Sequence, residues 1–284
     1  MRPAAMSGKL RGAIKDVLPP LLYKAAAVAV HRTRGDGLVF SGNYRSWSEV
    51  AAKAEGYGEQ EILDRTLSAM KEVTAGRAVF ERDSVLLPEP EYSFPALTAL
   101  LWLSSRAKNR LELVDFGGAL GSSFFQFRRF LSHLDEIRWA VVEQEHFVRC
   151  GQAELSGRGL SFHPSIDDAL QGRPAELFFA SSVLQYLPDP GAFLDSLMAH
   201  RFNYILIDRT AFIRGSQDRL TLQHNARSLY RASYPAWFFN ETSFLKKFQS
   251  TYDVVYSFDG RDQVLLAGGD PYYRGFLFQR RVSS

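Results

Sequence analysis

VDFGGALGSSFF, residues 114–125, runs from an apolar stretch ending in Asp115, through Gly117, Gly118 and Gly121, into a segment that reads as the start of a helix. A strand that turns through glycines into a helix is the local signature of a parallel α/β unit, whose turn lies on the ligand side of the sheet. Glycines there let the backbone approach a ligand with no Cβ in between. A dinucleotide fingerprint, G-x-G-x-x-G, aligns only with Phe116 in the first glycine place, so its first requirement fails. The remaining frame is Asp115-x-Gly117-x-x-x-Gly121.

Downstream, β-prone runs at 111–116, 137–144, 160–164, 175–183 and 202–210 alternate with helix-length segments starting near Ser122, His146, Ile166 and Pro190. This order predicts a doubly wound, Rossmann-like α/β sheet, mostly parallel. The closely spaced runs TYDVVYSFDG, QVLLAGGD and YYRGFLFQRR predict a C-terminal antiparallel hairpin that closes the sheet edge. Upstream, Ser46 and Glu49 have capping-box spacing. Residues 59–75 place Ile62, Leu63, Leu67, Met70 and Val73 on one helical face, and Pro95 suits the first turn of a further helix. The expected organisation is a helical cap over 35–109 and a ligand-binding domain over 110–284.

Residues 1–34 carry seven basic side chains against the single acid Asp16, although the whole chain is only +3. Their apolar run, VLPPLLYKAAAVAV, is interrupted by Pro19, Pro20 and Lys24, and a spanning helix needs roughly 20 apolar residues. The segment reads either as a basic amphipathic arm resting on an anionic membrane face or as a helix packed on the domain. The modest charge and the lack of a target-recognition module give no expectation of a nucleic-acid partner. Cys150 is the only cysteine, so no internal disulfide or Cys-x-x-Cys zinc pair forms, and a cytoplasmic setting with no metal centre is expected.

With LELV before it, Asp115-x-Gly117-x-x-x-Gly121 resembles the first motif of the class I S-adenosylmethionine-dependent methyltransferases, with Ala119 in place of the middle glycine. FFASSVLQYLPDP resembles the fourth segment of that superfamily. Together with WAVVEQ, SYPAWFFNETSFLKKF and the upstream GDGLVFSGNYRSWSEV, these stretches look like a family of bacterial methyltransferases associated with cell-surface polysaccharide synthesis. The resemblance implies S-adenosyl-L-methionine as cofactor and a small molecule or glycan precursor as acceptor. It places Asp115 near the cofactor's ammonium, with Gly117, Gly118 and Gly121 in the turn and Ser181 and Ser182 lining the same site. Glu143, 22 residues beyond Gly121, suits a carboxylate that accepts both ribose hydroxyl protons, or is a solvated strand-end acid. Adenine is expected near His163 to Asp167, with Ser165 or Asp167 as polar contacts.

Methyl transfer from a sulfonium is a direct displacement that needs alignment and exclusion of water. For a hydroxyl acceptor a general base helps, and the candidates are His224, Tyr186 and Asp208. The aromatics Tyr234, Trp237, Phe238 and Phe239 form either a wall for a ligand or the packing at the start of a helix capped by Asn240. Phe40, Tyr44, Trp47 and the Tyr57-Gly58 pair form either a lid from the N-terminal region or a static packed subdomain. A binding or assembly protein without catalytic capacity is the alternative on the same fold.

Overall fold

The computed structural model describes residues 39–55, 59–82, 85–174, 176–224, 232–260, 262 and 264–281. The basic segment 1–34 and the Tyr57-Gly58 pair lie outside the described residues. The described residues begin with β1 (Val39–Tyr44), α1 (Trp47–Ala51), α2 (Glu59–Thr74), the hairpin β2 (Phe80–Arg82) and β3 (Val85–Leu87), and α3 (Phe94–Arg106). Ser46 caps α1, accepting the Glu49 N–H at 3.2 Å, as the spacing predicts.

The alternating region follows as β4 (Arg110–Phe116), α4 (Ser122–Phe127), β5 (Glu136–Val142), α5 (Glu145–Glu154), β6 (Leu160–His163), α6 (Ile166–Leu170) and β7 (Leu177–Ser181). A short 3-10 turn (Leu184–Tyr186) leads to α7 (Pro190–His200) and β8 (Tyr204–Ile213), then β9 (Arg219–His224) and β10 (Ser233–Phe238). The chain closes with α8 (Glu241–Lys246), β11 (Tyr252–Asp259), β12 (Leu265–Leu266) and β13 (Pro271–Arg280).

Seven strands form the main sheet in the order β11-β13-β8-β7-β4-β5-β6. The run β8-β7-β4-β5-β6 is parallel throughout. Its chain order from the far edge inward is that of the dinucleotide-binding sheet, with the crevice where β4 and β7 part to opposite crossovers. Adjacent residues serve opposite cores: Leu113 and Phe179 pack with α3 and α4, whereas Val114 and Phe178 pack with α7 and α8. Covering both faces is what a parallel sheet requires, and each such side chain contributes about 1.5–3 kcal/mol by burial.

The C-terminal hairpin closes the sheet edge as expected. β13 pairs antiparallel with both β8 and β11, so it is inserted into the sheet and β11 forms the edge. The burial patterns explain the order. Residues 275–278 of β13 are buried consecutively, whereas residues 253–255 of β11 are exposed.

A second sheet, β10-β9-β1-β12, joins Val39 of β1 to His224 and Leu265, 185 and 226 residues later. The 35–109 segment, expected as a helical cap, contributes β1, β2 and β3 as well as helices; the stretch around His224 is strand β9, and SYPAWF is strand β10. Asn240 does cap the following helix, accepting the Ser243 N–H at 2.9 Å. Among the described residues no helix is long and apolar enough to cross a membrane.

Candidate functional site

A cavity opens beyond the carboxyl ends of β4, β7 and β8, walled by Asp115, Gly117 and Gly118 on one side and Ser181, Asp208 and Arg209 on the other. Two clefts of comparable size lie toward the opposite strand ends, where a doubly wound sheet does not place its crevice. Around the cavity the chain turns tightly. The Gly117 N–H donates to Val142 O at 2.9 Å and the Gly121 N–H to Gly118 O at 2.9 Å. Gly121, at φ +84°, is the N-cap of α4. A Cβ on Gly118 would stand 2.6 Å from the Asp115 Oδ2, so only glycine lets the turn lie on that carboxylate. Ala119, in the place where the superfamily has glycine, takes a left-handed φ of +49°. That conformation costs an L-residue about 1–2 kcal/mol.

Asp115 is buried and accepts a 2.8 Å hydrogen bond from the Trp139 Nε1. Burial pushes the Asp115 carboxyl up to about 7; the Trp139 hydrogen bond opposes that rise and the Glu143 charge adds to it. Glu143 stands at the mouth of β5 and braces the turn, accepting the Ala119 N–H at 3.2 Å and the Gln144 N–H at 2.8 Å. Burial raises its carboxyl too, against the pull of those two amides and of His146. Each carboxylate oxygen keeps a lone pair for a further donor.

Asp208 reaches the cavity through a β-bulge. Thr210 pairs with Arg274 and Ile207 with Phe276, so Asp208 and Arg209 together face the single residue Gly275. Arg209 takes a left-handed φ of +49° there. The bulge fits only glycine opposite, because a Cβ at Gly275 would collide with the Phe258 ring and stand 2.8 Å from Ile207 O. Gly275→Ala is therefore expected to destabilise the fold by about 1–3 kcal/mol. The measurement is urea unfolding, and an unchanged midpoint would show that the bulge yields freely.

Burial raises the Asp208 carboxyl, while Arg209, a hydrogen bond with Ser93 and the Arg209 N–H hold it down and Asp262 adds to the rise. Ser181 lies 3.4 Å from its Oδ2. Arg209 lines the cavity with its guanidinium in a two-pronged pair with Asp262, at 3.1 Å and 3.3 Å.

The other candidates do not gather around this cavity. Ser182 bends the chain at φ +58° and its hydroxyl accepts from Gln185. The Ser165 hydroxyl is occupied as the N-cap of α6, accepting from Asp168 N–H and donating to the Asp168 carboxylate. Asp167 is exposed and pairs with His200. Tyr186 donates to Gln223 Oε1 at 2.7 Å, which turns the Gln223 side of β9 toward the main sheet. Side chains alternate along a strand, so His224 points to the other face, where its Nε2 is 3.2 Å from Ser41 Oγ. Of the three acid/base candidates, Asp208 is the one that lines the cavity.

Sequence reading had not singled out the N-terminal contribution. Glu81 of β2 is buried at 2% exposure, receives the Ser122 hydroxyl at 2.6 Å, and lines the cavity together with Glu91 and Ser93. No local motif marks Glu81, because its partners lie about 40 residues away in the helix that follows the glycine turn. Among the described residues the lining thus carries four acidic side chains, Glu81, Glu91, Asp115 and Asp208, and the Arg209 guanidinium, which pairs with Asp262. A cavity of that sign favours a cationic ligand over a phosphate.

No protein-family model and no curated protein matches the chain. Among solved structures it is similar to the Burkholderia thailandensis 1,6-didemethyltoxoflavin-N1-methyltransferase, crystallised with its substrate and S-adenosylhomocysteine. That likeness is at 14% identity and TM-score 0.44, over 85% of this chain and 93% of that one. It is similar to the N-terminal domain of EvdMO1, in the presence of S-adenosylhomocysteine and D-fucose, at 13% identity and TM-score 0.47 over 80% and 98%. A third likeness is to the magnesium protoporphyrin IX methyltransferase of Synechocystis PCC 6803 with bound S-adenosylmethionine, at 13% identity and TM-score 0.42 over 77% and 97%.

Proposed function

We propose that the protein transfers a methyl group from S-adenosyl-L-methionine to a hydroxyl of a small molecule or glycan precursor. The observation that carries this reading is the acidic cavity beneath the glycine turn, at the crevice of a doubly wound sheet. S-adenosylmethionine carries a sulfonium and an ammonium, whereas a dinucleotide brings a pyrophosphate that the four carboxylates would repel. Gly118 supplies the close approach, and Asp115 beneath it supplies the charge for an ammonium.

The cavity encloses about 240 Å³. Ligand sites usually span roughly 300–1,000 Å³, so this one takes the amino-acid end of the cofactor and leaves the ribose over Glu143. The carboxylate of Glu143, already fixed by two backbone amides, is preorganised to accept ribose hydroxyls.

When bound, the cofactor supplies an activated methyl group that a nucleophile can displace. Asp208 is the residue placed to take the acceptor proton: it is buried, lines the cavity and is oriented by Ser93 and the bulge. A carboxylate raised towards neutrality is a better base than an ordinary one.

Calorimetric titration with S-adenosylhomocysteine and S-adenosylmethionine, with NAD as comparator, tests the reading. Saturable binding of the adenosyl compounds, weakened about 10- to 100-fold by Glu143→Ala, is expected from loss of hydrogen bonds to a charged group. Folded protein that binds neither compound, or binds NAD equally, overturns it.

A further inference from the structure

Trp139 never reaches the cavity: it is fully buried on β5, between the edges of Phe124 and Phe179 at 5.8 Å and 6.1 Å between ring centres. Its Nε1 nonetheless ends 2.8 Å from the Asp115 Oδ2. We propose that Trp139 is a positioning residue for ligand binding, whose indole N–H fixes the orientation and charge of Asp115 and so governs how tightly a cationic ligand is held. The inference rests on the reading of Asp115 as the partner of the cofactor's ammonium.

An indole N–H can donate and cannot accept, so it serves a carboxylate oxygen and offers nothing to the proton of a neutral acid. The flanking rings leave the indole no room to swing away. Glu143 at the end of β5 adds its charge to the rise of the Asp115 carboxyl, and Glu81, Glu91, Asp208 and Arg209, the last tied to Asp262, line the same cavity. Burial and the Glu143 charge hold the proton on Asp115, and the fixed indole donor is what opposes them. A cationic ligand binds the ionised form, so its affinity rises with pH through the Asp115 midpoint.

The test is S-adenosylhomocysteine affinity from about pH 5.5 to 8.5 in the full chain and in Trp139→Phe, which keeps an aromatic ring and removes the donor. The midpoint of the affinity profile is expected to move up by about one pH unit, which weakens binding about five-fold at pH 7 and very little at pH 8.5. Equal weakening at every pH, the mark of a packing role alone, overturns the proposal.

A second measurement needs neither ligand nor a folded variant of Trp139. In the wild type the ¹⁵N-indole resonance that disappears in Trp139→Phe, or is assigned by through-space contacts to Phe124 and Phe179, should titrate near neutral pH and cease to titrate in Asp115→Asn. A flat resonance overturns the proposal. Failure of the wild type to bind S-adenosylhomocysteine would instead overturn the cofactor reading, and the resonance would still decide the coupling of Trp139 to Asp115.

Discussion

Asp208→Asn is expected to lower the rate of methyl transfer about 10²- to 10⁴-fold while leaving S-adenosylhomocysteine affinity nearly unchanged. The amide is nearly isosteric and keeps an oxygen for Ser93, but it cannot take a proton. The carboxyl of Asp208 is raised by burial, so wild-type activity should fall as pH drops through its folded value. The variant should lose that acid limb. Transfer of labelled methyl from S-adenosylmethionine, to a hydroxyl acceptor that the wild type methylates, gives the rates. A variant within a few-fold of wild type would remove Asp208 from proton transfer.

Asp115→Asn should make the protein more stable and a poorer binder. The Asp115 carboxyl titrates near 7 in the folded protein against an ordinary 3.8. Below the ordinary value both states carry the proton and burial of the group is harmless. Between the two values the unfolded chain releases the proton and the folded one retains it, so stability falls as pH rises and levels off above 7. The displacement corresponds to a loss on the order of 4 kcal/mol by pH 8.

Asparagine has no charge to desolvate and keeps an acceptor for the Trp139 indole. The variant is therefore expected to gain stability of that order at pH 8 and almost none at pH 4. Asp208, also raised by burial, adds pH dependence of the same sign to both proteins, and Glu143, whose charge is coupled to Asp115, titrates more easily in the variant, which adds to the gain at pH 8. Urea unfolding at the two pH values measures it, and equal stability at pH 8 would show that Asp115 ionises without penalty. The same change should weaken the cationic cofactor, because a stabilising substitution in a site removes the charge the ligand needs.

The parallel sheet was legible because its determinants are local. Each of β4 to β8 is an apolar run of strand length, and two of the intervening helices start at residues that a short-range rule picks out, Ser165 before α6 and Asp189 with Pro190 at α7. The glycine turn was legible for the same reason, since backbone crowding around Gly118 involves Asp115 only three residues away. The second sheet was not. Val39 pairs with His224 and with Leu265, and nothing within β1 names partners that far along the chain.

His224 shows what such a gap does to a functional reading. Its chemistry suits a base, but the side to which it points depends on strand β9, whose register is set by β1 and β10 and by the Tyr186 bond to Gln223. One residue of register exchanges the two faces of a strand. Asp208 raises the same difficulty in reverse: an acid at a strand end is commonplace, and what turns it into the cavity is a bulge opposite a glycine 67 residues later.

The sequence by itself determined the doubly wound architecture, the position of its crevice and the glycine turn with Asp115 at its base, because period, capping and backbone sterics act over a few residues. The tertiary structure decided which acids share the cavity, that Trp139 holds Asp115, and that Asp208 rather than His224 lines that cavity. Those relations depend on strand register and on burial by distant segments, and burial is what changes an acid's charge.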